Sequence, residues 1–266
     1  MKKQYRIYVR FLSFPFFCTM FVLSTAYAVE PIYPTVSEST LKGHVRTNLD
    51  SPKPTQDQLR RKEHFTKMVA ALGVPINESL PVTEDAKKIK PRGVDKVARR
   101  AIAVAVAAVK GEGMPHDEVV SIVKRWQIED YFSPQELMFI KNPLPTQNDK
   151  TKFVWRYEGL EVLLWALGYN AQLPPPNVIC DVKKDTKTIV ENRAALLAKN
   201  ARPRSIREIL DMADYYYRLH WGVIELRLKN KKNSAVDEEI IEERHRALNW
   251  LIRYMGADWD DVTTDT

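Results

Sequence analysis

From about residue 57 onward, apolar positions recur at helical spacing almost without interruption. Residues 57–72 (DQLRRKEHFTKMVAAL) run up to Gly73, and residues 94–110 (VDKVARRAIAVAVAAVK) run up to Gly111, where a left-handed C-cap costs least. Ser133, Pro134 and Glu136 supply an N-cap hydroxyl, a proline at the first helical position and a carboxylate three residues on, the chemistry of a capping box. Ser205 and Glu208 repeat it at the start of a long helix reaching about Lys229. A last helix is predicted from about Val236 to Met255, ending at Gly256. The best strand candidate, Asn177 to Val182 behind Pro174, Pro175 and Pro176, is too short and isolated to build a sheet. The pattern predicts an all-α, compact, multi-helix bundle-like domain over residues 57–266.

The start of the chain has a different pattern. Residues 1–28 combine a basic start (Lys2, Lys3, Arg6, Arg10), an apolar run from Phe11 and a small-residue end at Ala26 and Ala28, which reads as a cleaved secretory signal peptide. Pro15 breaks the run, which is shorter than the ~20 residues a membrane span requires. Residues 29–56 are rich in Pro, Ser and Thr without a sustained period and read as a flexible leader. An exported protein, periplasmic or secreted, is expected, with no membrane span after cleavage.

Cleavage changes the charge. The first 28 residues hold four basic and no acidic side chains, so the net charge falls from +7 to +3. Only Cys180 then remains, so no intramolecular disulfide forms and the fold rests on its apolar core. The lysine and arginine groups lie at helix ends and loops, where the helix dipole accounts for them. With the modest charge, this argues against a nucleic-acid partner.

Several polar residues sit on apolar faces. Arg156, in WRYEGLEVLLWALG, projects with Phe153, Leu160, Leu163 and Leu167, while Glu158 and Glu161 point away from it. Arg244 projects among Ile240, Ile241, Leu248, Leu251 and Met255. A buried guanidinium needs a carboxylate, several carbonyls or a bound anion, and a tie between helices is the favoured reading for both. Arg246 and Arg253 share a side with Glu239 and Glu242 and read as an ordinary solvated face. On the long helix, Arg207, Asp211, Asp214, Arg218 and Glu225 form a charged stripe of the kind usually exposed. His220 lies on the apolar side of that helix, and His245 lies one turn from Asn249; a hydrogen-bonded core histidine is the more common outcome.

The acidic tail DWDDVTTDT fails as an EF-hand, since Thr263 stands where the loop glycine belongs. Trp259 is expected to pack the tail on the helices while an aspartate, Asp260 or Asp265 among them, caps a helix or pairs with a buried arginine. No metal site and no cofactor are expected. The five histidines do not cluster in sequence, the nine glycines form no phosphate-cradling loop, and no familiar catalytic spacing occurs.

WRYEGLEVLLWALG, RSIREILDMADYYYRLHW, ERHRALNWLIRY and WDDVTTDT, in that order, resemble the bacterial family called domain of unknown function 4272. The resemblance runs from about Gln58 to Thr266 and implies a domain without an assigned reaction; it transfers no catalytic residue. Three functions follow. The first is an interaction protein of the cell envelope, an inhibitor or immunity-type partner of another exported protein. The second is a binder of a small anionic ligand through Arg156 and Arg244, and the third an unfamiliar hydrolase using His220 or His245. The missing motifs lean against an enzyme.

Overall fold

The computed structural model describes residues 53–266. The expected signal peptide, and the expected leader as far as residue 52, lie outside the described residues. Among the described residues the chain is all-helical: α1 (Gln56–Ala71), α2 (Val94–Glu112), α3 (His116–Trp126), α4 (Pro134–Lys141), α5 (Gln147–Ala166), α6 (Val182–Lys199), α7 (Ile206–Leu228) and α8 (Glu238–Leu251). Short 3-10 turns span Glu129–Tyr131 and Tyr254–Gly256. Residues 177–181 form turn and coil leading into α6, not a strand.

The helix that is apolar nearly all round, α5, organises the domain. It packs against α2 and α8; α8 in turn packs on α7, and α7 on α1. Every residue of α5 from Arg156 to Ala166 is buried, as a helix without a polar face requires. The alanines and valines of α2 serve the same packing: residues 101–108 are all buried, and their small side chains let α4, α5 and α6 approach.

The expected capping boxes form at Ser133 with Glu136 and at Ser205 with Glu208. Gly73, at φ 69°, closes α1. Two helix ends differ from the sequence reading. Gly111 lies inside α2, and the cap falls at Gly113, with φ 120°. At Gly111 a Cβ would stand 2.7 Å from the Lys150 carbonyl oxygen, so the missing side chain allows α2 and α5 to cross closely. The last helix stops at Leu251 because Arg253 and Met255 adopt left-handed conformations, at φ 58° and 51°.

The charged stripe of α7 is a solvated face at Arg207 but not at its middle, Asp214 and Arg218. The loop between α1 and α2 lies over it: Thr83 donates its hydroxyl to Asp214 at 2.9 Å, and Arg218 donates to the Pro81 carbonyl at 3.1 Å. Arg218 also pairs with Asp214 at 2.7 Å, and Arg61 from α1 reaches Asp211 at 3.1 Å. Asp214 and Arg218 are only 0% and 3% exposed, so this ladder is a buried tie between α7 and the start of the domain.

Candidate functional site

Arg244 is sealed. Its Nε donates to Glu158 Oε2 at 2.9 Å, and its Nη1 to the Tyr216 hydroxyl at 2.9 Å and the Pro174 carbonyl at 2.6 Å. Its Nη2 donates to the Val178 carbonyl at 2.8 Å. Glu158 uses its other oxygen to accept the Cys180 N–H at 2.9 Å. One guanidinium from α8 and one carboxylate from α5 thus pin the proline-rich loop that connects α5 to α6. Burial holds the Glu158 carboxyl above the usual carboxylate range, against the opposing pull of Arg244.

Beside this tie, Asn170 donates to Glu161 Oε1 at 2.8 Å and to Asp185 Oδ1 at 2.9 Å, all three residues being buried. Burial, and after it the charge of Glu161, pushes the Asp185 carboxyl up to about 8. Cys180 is also buried, and burial followed by Glu158 raises its thiol well above the ordinary value.

His220 and His245 meet, although far apart in sequence. Their Nδ1 atoms lie 3.0 Å apart, so in the neutral pair one ring donates its proton to the other. Burial brings His220 down to about 4 and His245 to about 3. Neither ring has a carboxylate within ion-pair distance, and neither lines a described cleft. Among the described residues no group of three or more His, Cys, Asp or Glu side chains is arranged to hold a metal ion.

The acidic tail folds back along α8. Trp259 is buried edge-on against Trp250, with ring centroids 5.3 Å apart. Asn249 donates to the Thr263 carbonyl at 2.9 Å, and Asp260 accepts the Gln135 N–H at 2.9 Å, capping α4. Asp265 is exposed and accepts only the Thr263 hydroxyl, at 2.7 Å.

Between this tail, α5 and α8 lies an open cleft of about 530 Å³ lined by Lys152, Arg156, Glu242, Glu243, Arg246 and residues 262–265. Arg156 pairs with Glu243, its Nη1 donating to both carboxylate oxygens at 2.9 and 2.7 Å. Arg246, read from the sequence as part of a solvated face, is nine-tenths buried because Trp259 covers it. Its Nη2 donates to the Trp259 carbonyl, its Nη1 has no hydrogen-bond partner, and no carboxylate lies within ion-pair distance. Burial, then the charge of Arg156, brings its guanidinium down to about 10, still protonated at neutral pH. Lys152 is exposed, reaches only the Gln135 side-chain amide, at 3.0 Å, and also lacks a carboxylate partner.

A second cleft of about 450 Å³, lined by Lys96, Arg99, Arg100, Tyr131 and Trp250 among others, differs in one respect. Its cations are already matched: Lys96 with Asp258, Arg99 with Asp130 and Arg100 with Glu136.

The structure therefore separates the residues singled out in the sequence. Arg244, His220 and His245 are enclosed, Asn249 and Asp260 hold the tail, Asp265 is at the cleft edge, and Arg156 alone of the two arginines reaches an open cavity. Lys152 and Arg246 are the residues that helical periodicity missed. Their environment is set by the tail, which no periodicity places; the one available signal was the tryptophan set between aspartates in DWDD.

No curated protein and no solved structure matches this chain. The sequence profile of the family described as "Domain of unknown function (DUF4272)" matches residues 61–262, which span α1 to the tail that walls the cleft. The chain, matched over most of its length, belongs to that family.

Proposed function

We propose that this is an exported protein of the cell envelope that acts by binding, and that its site is the cleft between α5, α8 and the tail. The observation that carries this reading is Arg246, a protonated, nine-tenths buried arginine among the residues lining an open cavity, whose Nη1 is shielded from solvent with no hydrogen-bond partner and which has no carboxylate within ion-pair distance. A buried cation left unpaired is costly, and an incoming anion removes the cost. Arg156 and Lys152 stand around it, and the cavity has the size of a small-molecule site. The second cleft supports no such reading, because its cations are already neutralised. Relative to the sequence expectation, the anion loses Arg244 and gains Arg246 and Lys152.

The test is calorimetric titration of the chain with acetate and with inorganic phosphate. At least one anion is expected to bind saturably. Lys152→Ala, at an exposed position, and Arg246→Met should each weaken that binding about ten-fold or more. Absence of saturable binding of both anions to the wild-type protein overturns the reading, as does unchanged binding in both variants.

A further inference from the structure

The cleft carries unmatched charge of both signs. Besides Lys152 and Arg246, its wall includes Glu242 and Asp265, and neither of these carboxylates lies within ion-pair distance of a cation. Glu243 is already committed to Arg156. The four groups line one cavity without closing an ion pair among themselves, although Arg246, one turn along α8, and Arg156 act on Glu242 at longer range. Desolvation, and next the charge of Glu243, raises the Glu242 carboxyl, a state that an approaching ammonium group relieves. A simple anion answers only half of this lining, so it binds, but more weakly than a ligand that carries both charges. The wall also includes Thr264, whose hydroxyl can both donate to and accept from the polar backbone of a small ligand.

We infer that the cleft takes a small zwitterion, a free α-amino acid or the end of a short peptide, with its carboxylate toward Arg246 and Lys152 and its ammonium toward Glu242 and Asp265. This rests on the binding function proposed above and specifies its ligand class. The volume of about 530 Å³ accommodates either source. Arg156 takes a positioning role: by holding both oxygens of Glu243 it keeps that carboxylate from forming an ion pair with Arg246.

The experiment titrates the chain with L-alanine, L-alanyl-L-alanine, the N-acetylated dipeptide and the dipeptide amide, with acetate and phosphate alongside. The expected result is that alanine or the dipeptide binds about ten-fold or more tightly than either blocked form. Glu242→Gln should reduce the dipeptide to the level of its N-acetylated form, while Lys152→Ala should weaken the N-acetylated form and spare the amide. Both residues are exposed, so the two variants keep the fold. Equal binding of alanine and the dipeptide identifies a free amino acid as sufficient, and preference for the dipeptide identifies a peptide end; each supports the inference. If the N-acetylated form binds as tightly as the free dipeptide, or only acetate or phosphate binds, the zwitterion inference fails and the anion-binding function stands. If no titrant binds, both fail.

Discussion

Arg244 and Arg156 occupy equivalent leucine-lined stripes, yet their surroundings make them energetically unlike. The Arg244 side chain is 0% exposed and its partner Glu158 3%, whereas Arg156 and Glu243 are 10% and 16% exposed at the rim of a cleft. Removing one partner of a sealed pair strands the other charge, while water reaches a rim pair and screens it. Arg244→Met should therefore lower the unfolding free energy by about 3–5 kcal/mol, because it leaves Glu158 and the loop carbonyls unsatisfied. Arg156→Met should cost less, about 2 kcal/mol, because Glu243, 16% exposed at the cleft, recovers part of its hydration. Urea unfolding of both variants checks this, and equal losses would contradict the assignment of one arginine to the core and the other to the cleft. Both arginines were legible in the sequence because periodicity reports direction about a helix's own axis. What lies opposite was not: the partners of Arg244 come from positions 28–86 residues away, and Glu158 seemed merely to face elsewhere.

Among the elements, α4 shows how a short helix is held at both ends by distant chain. Pro134 has no N–H; the next two amides donate to Asp260 and Ser133, so the usual unpaired donors of the first turn are answered. At the other end the Lys110 ammonium accepts no proton but donates to the carbonyls of Phe139, Ile140 and Asn142 at 2.6–2.8 Å, in the place of a C-cap. Ser133 was legible, since capping chemistry is local, and so was a role for an aspartate of the tail; which helix Asp260 caps, and the role of Lys110, were not, since they depend on tertiary approach. Trp259→Ala should cost about 3–5 kcal/mol through the cavity left against Trp250. The loss should concentrate in faster amide exchange across residues 257–263 and at Gln135, with α1 protected as before. Uniform loss of protection throughout the domain would show that the tail does not act on α4 selectively.

For the molecule as a whole, the buried titratable groups oppose one another. Asp185 is raised in the fold, so its bound proton stabilises the native state fully below the unfolded value of about 4, and that contribution is lost as pH rises through about 8. His220 and His245 are depressed, so their contribution is complete above the unfolded value of about 6.5 and is lost as pH falls toward about 4 and 3. Asp185→Asn should thus flatten the decline in stability between pH 5 and 8 and leave the acid limb intact, measured by urea unfolding across that range. An unchanged alkaline slope would refute the assignment of that proton to Asp185. The all-helical class was readable because α5 and α2 advertise their burial along the whole of their length. The polar interior was not, because it is assembled by loops, and loops carry no period.

The enclosure of Cys180 has a practical consequence. Its thiol is 4% exposed, and the neighbouring carboxylates disfavour the reactive thiolate, so an alkylating reagent attacks only molecules whose α5–α6 region has opened. With Cys18, the other cysteine of the chain, replaced by serine, the labelling rate becomes an internal gauge of core opening in plain buffer. Ligand held in the cleft would then register as slower labelling at a sulfur it never touches.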